Sequence, residues 1–344
     1  MIAVKEDQVI RSFTCQNCRG PQVESAEIEE TCPKCGGVMQ GKLWDIEEIV
    51  QFSPRLKCQK NGCKGFMSIG SLQSQEPMLL SYAINREYLE RAIGKANVAV
   101  LFVRDEDVCG IDTPISFVFS EHPQIDFFLF HNYLIEHTDF YGRPDKTSIS
   151  PTAQVHPSAF VAEMNVVIDC EAVIGPNVTV LEHTIIGPGT VIAPGVVLGV
   201  QGARLIKRPD GSRFKALHGG EVRIGKNVFI GANAVVVRSV WRRPTTIGDG
   251  VFVGNLVNIG HNCQVSDGAM ILPAAILCGR AEIGVGATVA PGAMVSNGVR
   301  VGDQAFVSLG AVVTQDVPSG QQVSGNFAIE HARLVEHIKE LSAK

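Results

Sequence analysis

The chain has 344 residues, a formal net charge of −5, 19% charged residues and 45% hydrophobic residues. This composition excludes a disordered chain, and the mild acidity argues against a protein that binds mainly nucleic-acid phosphates. No stretch approaches the roughly 18 uncharged apolar residues of a membrane span. Because the first residues also lack the layout of a signal peptide, we expect a cytoplasmic protein whose thiols stay reduced.

The predicted N-terminal domain, positions 1–70, contains three pairs of cysteines. Two knuckles form the pattern CxxC-x13-CxxC, which predicts a tetrahedral and structural zinc site, here a zinc ribbon. The third pair either replaces one knuckle or contributes to a second site, and the sequence leaves both possibilities open. Acidic residues beside the knuckles disfavour nucleic acid as a partner of the ribbon. The candidate zinc ligands are Cys15, Cys18, Cys32, Cys35, Cys58 and Cys63.

Residues 71–145 predict a small α/β domain. The runs 98–103 and 115–119 are apolar and typical of strands. Between residues 82 and 98, Tyr88, Leu89, Ala92 and Ile93 have the spacing of an amphipathic helix.

Residues 146–320 contain a repeat with a period of six. From Ile247 to Val313 every sixth residue is aliphatic, at twelve successive positions. An earlier ladder runs from Ile168 to Leu198, and a short one from Ile224 to Val236. The residue four after each aliphatic position is usually small, and glycine often follows it directly. A period of six fits neither an α-helix nor ordinary strand alternation, but it is typical of a parallel β-helix. A glycine-rich β-sandwich, the alternative, does not explain twelve consecutive matches.

This pattern resembles the hexapeptide repeat of the left-handed β-helix proteins. The resemblance implies a triangular prism with three hexapeptides per coil, so that position i+18 lies directly above position i. It also implies about seven coils for this chain and a homotrimer. The predicted fold is therefore mainly β, a left-handed parallel β-helix preceded by a zinc ribbon and a small α/β domain.

Two segments leave the repeat, and a tail follows it. Residues 199–223 and 237–246 are basic excursions, which either are solvated or contact an anionic substrate or acyl donor. In the tail, the spacing of Leu334, Ile338 and Leu341 predicts a C-terminal helix, and we assign residues 321–344 to it.

Within the longest ladder, one segment combines residues suited to catalysis. His261 follows the inward-pointing Ile259 by two residues, and we expect it mid-face and pointing outward. Histidine is the side chain best suited to accept a proton near neutral pH. With three hexapeptides per coil, Gly279 lies above His261 and could turn a backbone N–H toward an oxyanion. Asn255 lies one prism face away. The alternative is a surface histidine beside structural asparagines.

Residues 254–265 resemble the signature of the UDP-3-O-acylglucosamine N-acyltransferases of lipid A synthesis. The similarity extends from about Leu80 to Gly325. It implies that an acyl chain moves from acyl carrier protein to the amine of a UDP-linked sugar. It also implies that His261 is the general base, Gly279 the oxyanion-hole glycine and Asn255 a substrate contact.

The resemblance also assigns a role to residues 82–88. There Tyr82 and Tyr88 match two aromatics that sandwich uracil, and Asn85 matches the asparagine that reads the edge of the base. Stacking of this kind contributes about 1–3 kcal/mol per base. The alternative is that Tyr88 only packs on its helix.

Three features depart from that family. Gly298 stands where the family has a second histidine, and Arg238 and Ser239 replace an acidic-basic pair. The first excursion lacks paired phenylalanines and ends near His218, which either contacts substrate or is an ordinary loop histidine.

We therefore predict a homotrimeric N-acyltransferase that uses acyl carrier protein or CoA as the donor and a UDP-amino sugar as the acceptor. An acetyl-CoA-dependent sugar acetyltransferase and a non-catalytic trimeric scaffold are the alternatives. A γ-type carbonic anhydrase needs three histidines around zinc, whereas His261 is the only histidine between residues 219 and 330.

Overall fold

The computed structural model describes residues 30–31, 38–39, 43–142 and 144–325, together with 330, 331, 333, 335, 339 and 340 in the tail. These residues form two compact units. The first unit comprises the residues up to Asp145, Ala203–Gly220 and Val240–Arg243, and the second comprises Lys146–Gly202, Glu221–Ser239 and the residues from Pro244 onward.

The first unit is built on a five-stranded sheet. From edge to edge its strands are Lys57–Gln59, Ser116–Phe119, Val98–Val103, Leu79–Tyr82 and Ser68–Ile69. The edge strand Lys57–Gln59 is antiparallel to its neighbour, and the other four strands are parallel. Because the sheet includes residues 57–59 and 68–69, the α/β layer begins before the predicted boundary at residue 70.

The helices of this unit are α1 (Glu47–Phe52), α2 (Arg86–Ile93) and α3 (Pro123–His137), with a 3₁₀ turn at Asp105–Val108. Short antiparallel pairs join Glu30–Thr31 to Val38–Met39 and Trp44–Asp45 to Gly65–Phe66. The strand Val98–Val103 is buried along its whole length, as expected for a central parallel strand. Three phenylalanines of α3, Phe127, Phe128 and Phe130, belong to the aromatic core of this unit.

The second unit is a prism of three parallel sheets. The first face contains Ser148–Ile149, Val166–Ile168, Thr184–Ile186, Val222–Ile224, Thr245–Ile247, Gln264–Val265, Glu282–Ile283 and Arg300–Val301. The second contains Gln154–Val155, Val173–Ile174, Val191–Ile192, Phe229–Ile230, Phe252–Val253, Met270–Ile271, Thr288–Val289, Phe306–Val307 and Gln322–Val323. The third contains Phe160–Val161, Thr179–Val180, Val197–Val200, Val235–Val237, Asn258–Ile259, Ile276–Leu277, Met294–Val295 and Val312–Val313.

The strand register confirms the coil of three hexapeptides. Ile259 pairs with Leu277, and Leu277 pairs with Val295. Every aliphatic residue of the predicted ladders is buried in one continuous core. Among the described residues the three faces hold eight, nine and eight strands. Each full coil gives one strand to each face, so the prism has eight full coils where about seven were expected. The uncounted coil is the first, which lies within the predicted bounds 146–320 but before the aliphatic ladders, and Ile149 there is 43% exposed. The second unit is thus the left-handed parallel β-helix that the repeat predicts.

The two excursions and the tail differ from simple loops and a simple helix. Arg204–Lys207 and Arg213–Ala216 form an antiparallel hairpin, and the middle part of each excursion, Ala203–Gly220 and Val240–Arg243, belongs to the first unit. The strand Gln322–Val323 still pairs with Phe306–Val307, so the coil continues past the predicted start of the tail helix at residue 321. Residues 331, 333, 335, 339 and 340 are helical, whereas Leu334, Ile338 and Leu341 lie outside the described residues. No helix in the described part of the chain is long and apolar enough to span a membrane.

Candidate active site

His261 lies at a corner of the prism. It occupies the turn between the strands Asn258–Ile259 and Gln264–Val265, where Asn262 adopts the left-handed conformation with φ of 60°. The expectation of a mid-face position was wrong, because the aliphatic residue ends each short strand and the turn follows two residues later. The imidazole is half-buried and lies on the turn. We call this turn, with its counterparts in neighbouring coils, the His261 corner.

Gly279 lies next to His261 in the following coil, as the register requires. A Cβ atom built on Gly279 would be 2.4 Å from His261 Nε2 and 2.6 Å from Cε1. The imidazole therefore covers the bare Cα of Gly279, and any larger residue there would displace it. Within the described residues no hydrogen bond uses the Gly279 N–H. The corner thus holds an imidazole beside a buried backbone N–H that has no acceptor among the described residues.

The orientation of His261 depends on two residues that the sequence did not single out. His261 Nδ1 lies 3.1 Å from Asn262 Oδ1, so that Nδ1–H donates to the amide oxygen and Nε2 keeps a lone pair. The Asn262 N–H in turn donates to Thr245 Oγ1 at 2.8 Å, and that hydroxyl donates to the Val237 carbonyl at 2.8 Å. Thr245 and Asn262 are buried. No local motif signals the bond between Asn262 and Thr245, because these two residues come from different coils.

Asn255 does not share this corner. It lies in the preceding turn, beyond the strand Asn258–Ile259, and its Oδ1 accepts a hydrogen bond from the Ala232 N–H at 2.8 Å. An analogous bond joins the Lys226 N–H to Asp249 Oδ1 at another corner. The Asn255 oxygen therefore has a structural role between coils, while the exposed position of the side chain leaves its amide group accessible.

Two departures from the resembled family fall on the His261 corner. Arg238 lies one coil before His261, since Val236 pairs with Ile259. Its guanidinium extends toward the Glu182 carbonyl at 3.5 Å, in the direction away from His261, and burial lowers its pKa. Gly298 lies one coil beyond Gly279, to whose carbonyl it donates at 3.0 Å, and its Cα faces open space. Neither position supplies a second base.

The three residues of the predicted uracil clamp lie at the carboxyl end of the parallel sheet. Tyr82 ends its strand, with its ring 4.8 Å from Phe127, and its hydroxyl accepts from Gln124 Nε2 at 3.2 Å. Asn85 caps α2, where its Oδ1 accepts from the Tyr88 N–H at 3.0 Å. Tyr88 is 36% exposed, and the Arg91 guanidinium is 5.1 Å from its ring centre. Ligands of open α/β sheets commonly bind at this edge.

His218 is 1% exposed in the first unit, a burial that favours a structural role over substrate contact. Its neighbour Leu217 offers its carbonyl to His131 Nε2 at 2.9 Å, and His131 Nδ1 lies 3.0 Å from the Tyr141 hydroxyl. Burial lowers the pKa of His131 to about 3, despite the opposing effect of the Leu217 carbonyl. His131 is therefore neutral and joins α3 to the first excursion.

The four knuckle cysteines, Cys15, Cys18, Cys32 and Cys35, lie outside the described residues. Cys58 and Cys63 are half-buried against the aromatic core, and Cys58 Sγ lies 3.7 Å from the Ile46 carbonyl. Burial raises the pKa of Cys58 to about 11. In the part of the chain that is described, no group of three histidine, cysteine or acidic residues could hold a metal.

The β-helix matches two families of repeat. Residues 165–199 match "Bacterial transferase hexapeptide (six repeats)", and residues 221–255 match "Hexapeptide repeat of succinyl-transferase". Both matches fall on the two earlier ladders and the start of the longest one.

Curated relatives extend the similarity beyond the repeat. The UDP-3-O-acylglucosamine N-acyltransferase of Coxiella burnetii is 26% identical over 237 residues, which cover 62% of this chain and 68% of the relative. The enzyme of the same name from Helicobacter pylori is 35% identical over 102 residues, 30% of each chain. Among solved structures, the Arabidopsis UDP-N-acetylglucosamine acyltransferase is 24% identical with a TM-score of 0.38, covering 52% of this chain and 71% of that one.

Proposed function

We propose that this chain, an acyltransferase of the hexapeptide-repeat superfamily, transfers an acyl group from a thioester donor to the amine of a UDP-linked amino sugar. The observation that carries the proposal is the contact between His261 and Gly279, which sets a base beside a backbone N–H that has no acceptor among the described residues. The names of the curated relatives support the choice of acceptor.

In the proposed reaction the sugar amine attacks the carbonyl carbon of the thioester. His261 Nε2 takes the proton from the amine as the C–N bond forms, and the Gly279 N–H donates to the oxyanion. When the tetrahedral intermediate collapses, the C–S bond breaks and His261 returns the proton to the leaving thiolate. The transfer is direct, and no acyl-enzyme forms.

Within one copy of the chain, two of the residues proposed to contact substrate lie apart. His261 and Asn255 lie at successive corners, and the strand Asn258–Ile259 keeps them apart. We propose a homotrimer in which the His261 corner of one copy faces the Asn255 corner of the next.

The second face of the prism supports self-association. Phe229 and Phe252 stack with ring centres 5.2 Å apart, and with Met270 and Phe306 they form an outward stripe of side chains 37–44% exposed. Exposed apolar surface of this kind is typical of interfaces. Light scattering on the Phe252→Glu variant should show a smaller assembly than the wild-type protein.

The test of the proposed function combines donors with a base variant. Purified protein is incubated with UDP-linked amino sugars and with acyl carrier protein or CoA thioesters of short and long acyl chains. The His261→Ala variant should lose about 10²–10⁴-fold in turnover while keeping its fold. His156→Ala, which removes an exposed histidine from the first coil, serves as the matched control. Near-normal turnover by His261→Ala would contradict the assignment of the base.

A further inference from the structure

The hairpin of the first excursion has one anchored face. In an antiparallel pair, residues directly opposite each other point to the same side of the ribbon. Ile206 lies opposite Phe214, and Arg204 opposite Ala216. Ile206 and Ala216 are buried, and the Arg204 guanidinium is 4.7 Å from the ring centre of Phe128 in α3. This face therefore packs within the first unit.

Hydrogen bonds from α3 fix the returning strand. Asn132 Nδ2 donates to the Lys215 carbonyl at 2.8 Å, and Asn132 Oδ1 accepts from the Leu217 N–H at 2.9 Å. His131 adds the contact to the Leu217 carbonyl. Because the backbone is bound on both sides of Ala216, the hairpin cannot rotate, and its other face is committed to solvent.

The solvent face is basic. It consists of Leu205, which lies opposite Lys215, and Lys207, which lies opposite Arg213. All four side chains are exposed, and Leu205 is 56% exposed. None of the three cations forms an ion pair with another described residue. Like charges directly opposite each other destabilise a ribbon, so the Lys207–Arg213 pair is unfavourable within the hairpin.

We propose that this basic face is the docking surface for an acidic carrier protein that brings the acyl group as a thioester. The inference rests on the proposed function, in which the donor carries a thioester-bound acyl chain. Carboxylates on a helix of the carrier would pair with Lys207, Arg213 and Lys215, and Leu205 would contact an apolar residue between them. Complementary charge of this kind accelerates encounter and selects the partner.

The composition of the face favours a protein over an anionic bilayer. Elements that lie on membranes combine cations with a broad apolar face that enters the acyl region. Here Leu205 is the single apolar side chain on the exposed face, because Ile206 and Phe214 point to the packed side.

The experiment measures carrier binding and carrier use separately. A triple variant carries Lys207→Glu, Arg213→Glu and Lys215→Glu. The control carries Lys57→Glu, Lys146→Glu and Arg300→Glu, three exposed cations elsewhere with the same change in charge. Fluorescence anisotropy gives the Kd for labelled holo acyl carrier protein at low and high salt. Kinetics compare acyl carrier protein with the uncharged acyl-pantetheine thioester as donor.

In the hairpin variant we expect Kd and KM for the carrier to rise at least about tenfold at low salt, with the difference shrinking at high salt. Turnover with acyl-pantetheine should stay within about twofold of wild type. An unchanged carrier Kd would overturn the proposal, as would an equal loss with both donors. It would also be overturned if the variant lost binding to anionic phosphatidylserine vesicles but kept carrier binding. Wild-type protein that transfers no acyl group contradicts the proposed function instead, and the binding measurement still decides the docking surface.

Discussion

The imidazole of His261 and a side chain at position 279 would compete for the same space. Gly279 is the residue whose missing Cβ makes room for the ring, since that atom would lie 2.4 Å from Nε2. Gly279 is buried beside the ring, and its N–H donates to no other described residue. Base and oxyanion donor are thus coupled through one glycine.

The first prediction follows from this coupling. Gly279→Ala should push the imidazole off the turn and lower kcat by about 10²-fold, since small misplacements of a reacting group cost this much. The backbone tolerates the change, because Gly279 is not in the left-handed region. Gly94→Ala, whose Cβ would meet no atom closer than 3.8 Å, is the control and should keep full activity. Wild-type kcat in Gly279→Ala would show that the ring is not held where the reaction needs it.

A second prediction concerns the amide that orients His261. Asn262→Asp keeps an oxygen 3.1 Å from Nδ1 but adds a negative charge, which stabilises the imidazolium and raises the pKa of His261. A base must be neutral, so the ascending limb of the pH profile of kcat should move to higher pH. Thr245→Val removes the hydroxyl behind Asn262 and should lower kcat without moving that limb. If Asn262→Asp leaves the profile in place, Asn262 is not a positioning residue.

A third prediction separates stacking from packing in the proposed uracil clamp. Tyr88→Leu should raise the Kd for UDP about fivefold or more, whereas Tyr88→Phe, which retains the ring, should bind nearly as wild type. Asn85→Asp keeps the oxygen that caps α2 and removes the amide donors that would read the base. It should therefore weaken UDP binding without the loss of about 1 kcal/mol in stability expected of Asn85→Ala. Titration calorimetry with UDP measures the affinities, and equal affinity across the three Tyr88 proteins would exclude a clamp.

A fourth prediction concerns stability and pH. The pKa of His131 is about 3 in the folded protein against 6.5 as a free side chain, so the unfolded chain takes up the proton first. The effect of His131 on the free energy of unfolding is absent above pH 6.5. As the pH falls from 6.5 toward 3, this free energy declines, by about 2 kcal/mol at pH 5. Both tryptophans lie in the first unit, so their fluorescence during urea unfolding reports on it.

His131→Gln should reduce the slope of the unfolding free energy against pH by the equivalent of up to one bound proton, because the buried imidazole that resists protonation is gone. His137→Gln, at an exposed position of the same helix, should retain the wild-type slope. Equal slopes in all three proteins would mean that His131 does not control the pH response of this unit.

A fifth prediction concerns zinc. We propose that the four knuckle cysteines bind one structural ion, since Cys58 and Cys63 pack in the aromatic core. Metal analysis should find about one zinc per chain, unchanged in Cys58→Ser with Cys63→Ser. The double variant Cys15→Ser with Cys18→Ser should contain no zinc. If zinc is lost instead from the variant with Cys58→Ser and Cys63→Ser, these two cysteines belong to the site.

The sequence by itself determined the β-helix and the pairing of His261 with Gly279. A strict period of six constrains every coil in the same way, so the register follows once one coil is placed. Corner geometry was less predictable, because the pattern marks which side chains point inward but not where each turn begins. The predicted bounds of the repeat included the first coil, but the count of aliphatic ladder positions did not, because Ile149 is 43% exposed and the pattern there is weak.

Only the tertiary structure decided the rest. Asn262 meets Thr245 because coils stack, and residue types alone do not show that the Asn262 N–H binds the Thr245 hydroxyl. The oxygen of Asn255 binds the Ala232 N–H of the preceding coil, which residue type alone cannot reveal. The first excursion reads as a basic loop, yet it folds as a hairpin on α3, because Asn132 and His131 bind its backbone. Long-range hydrogen bonds of this kind depend on the packed positions of distant elements, which local sequence does not encode.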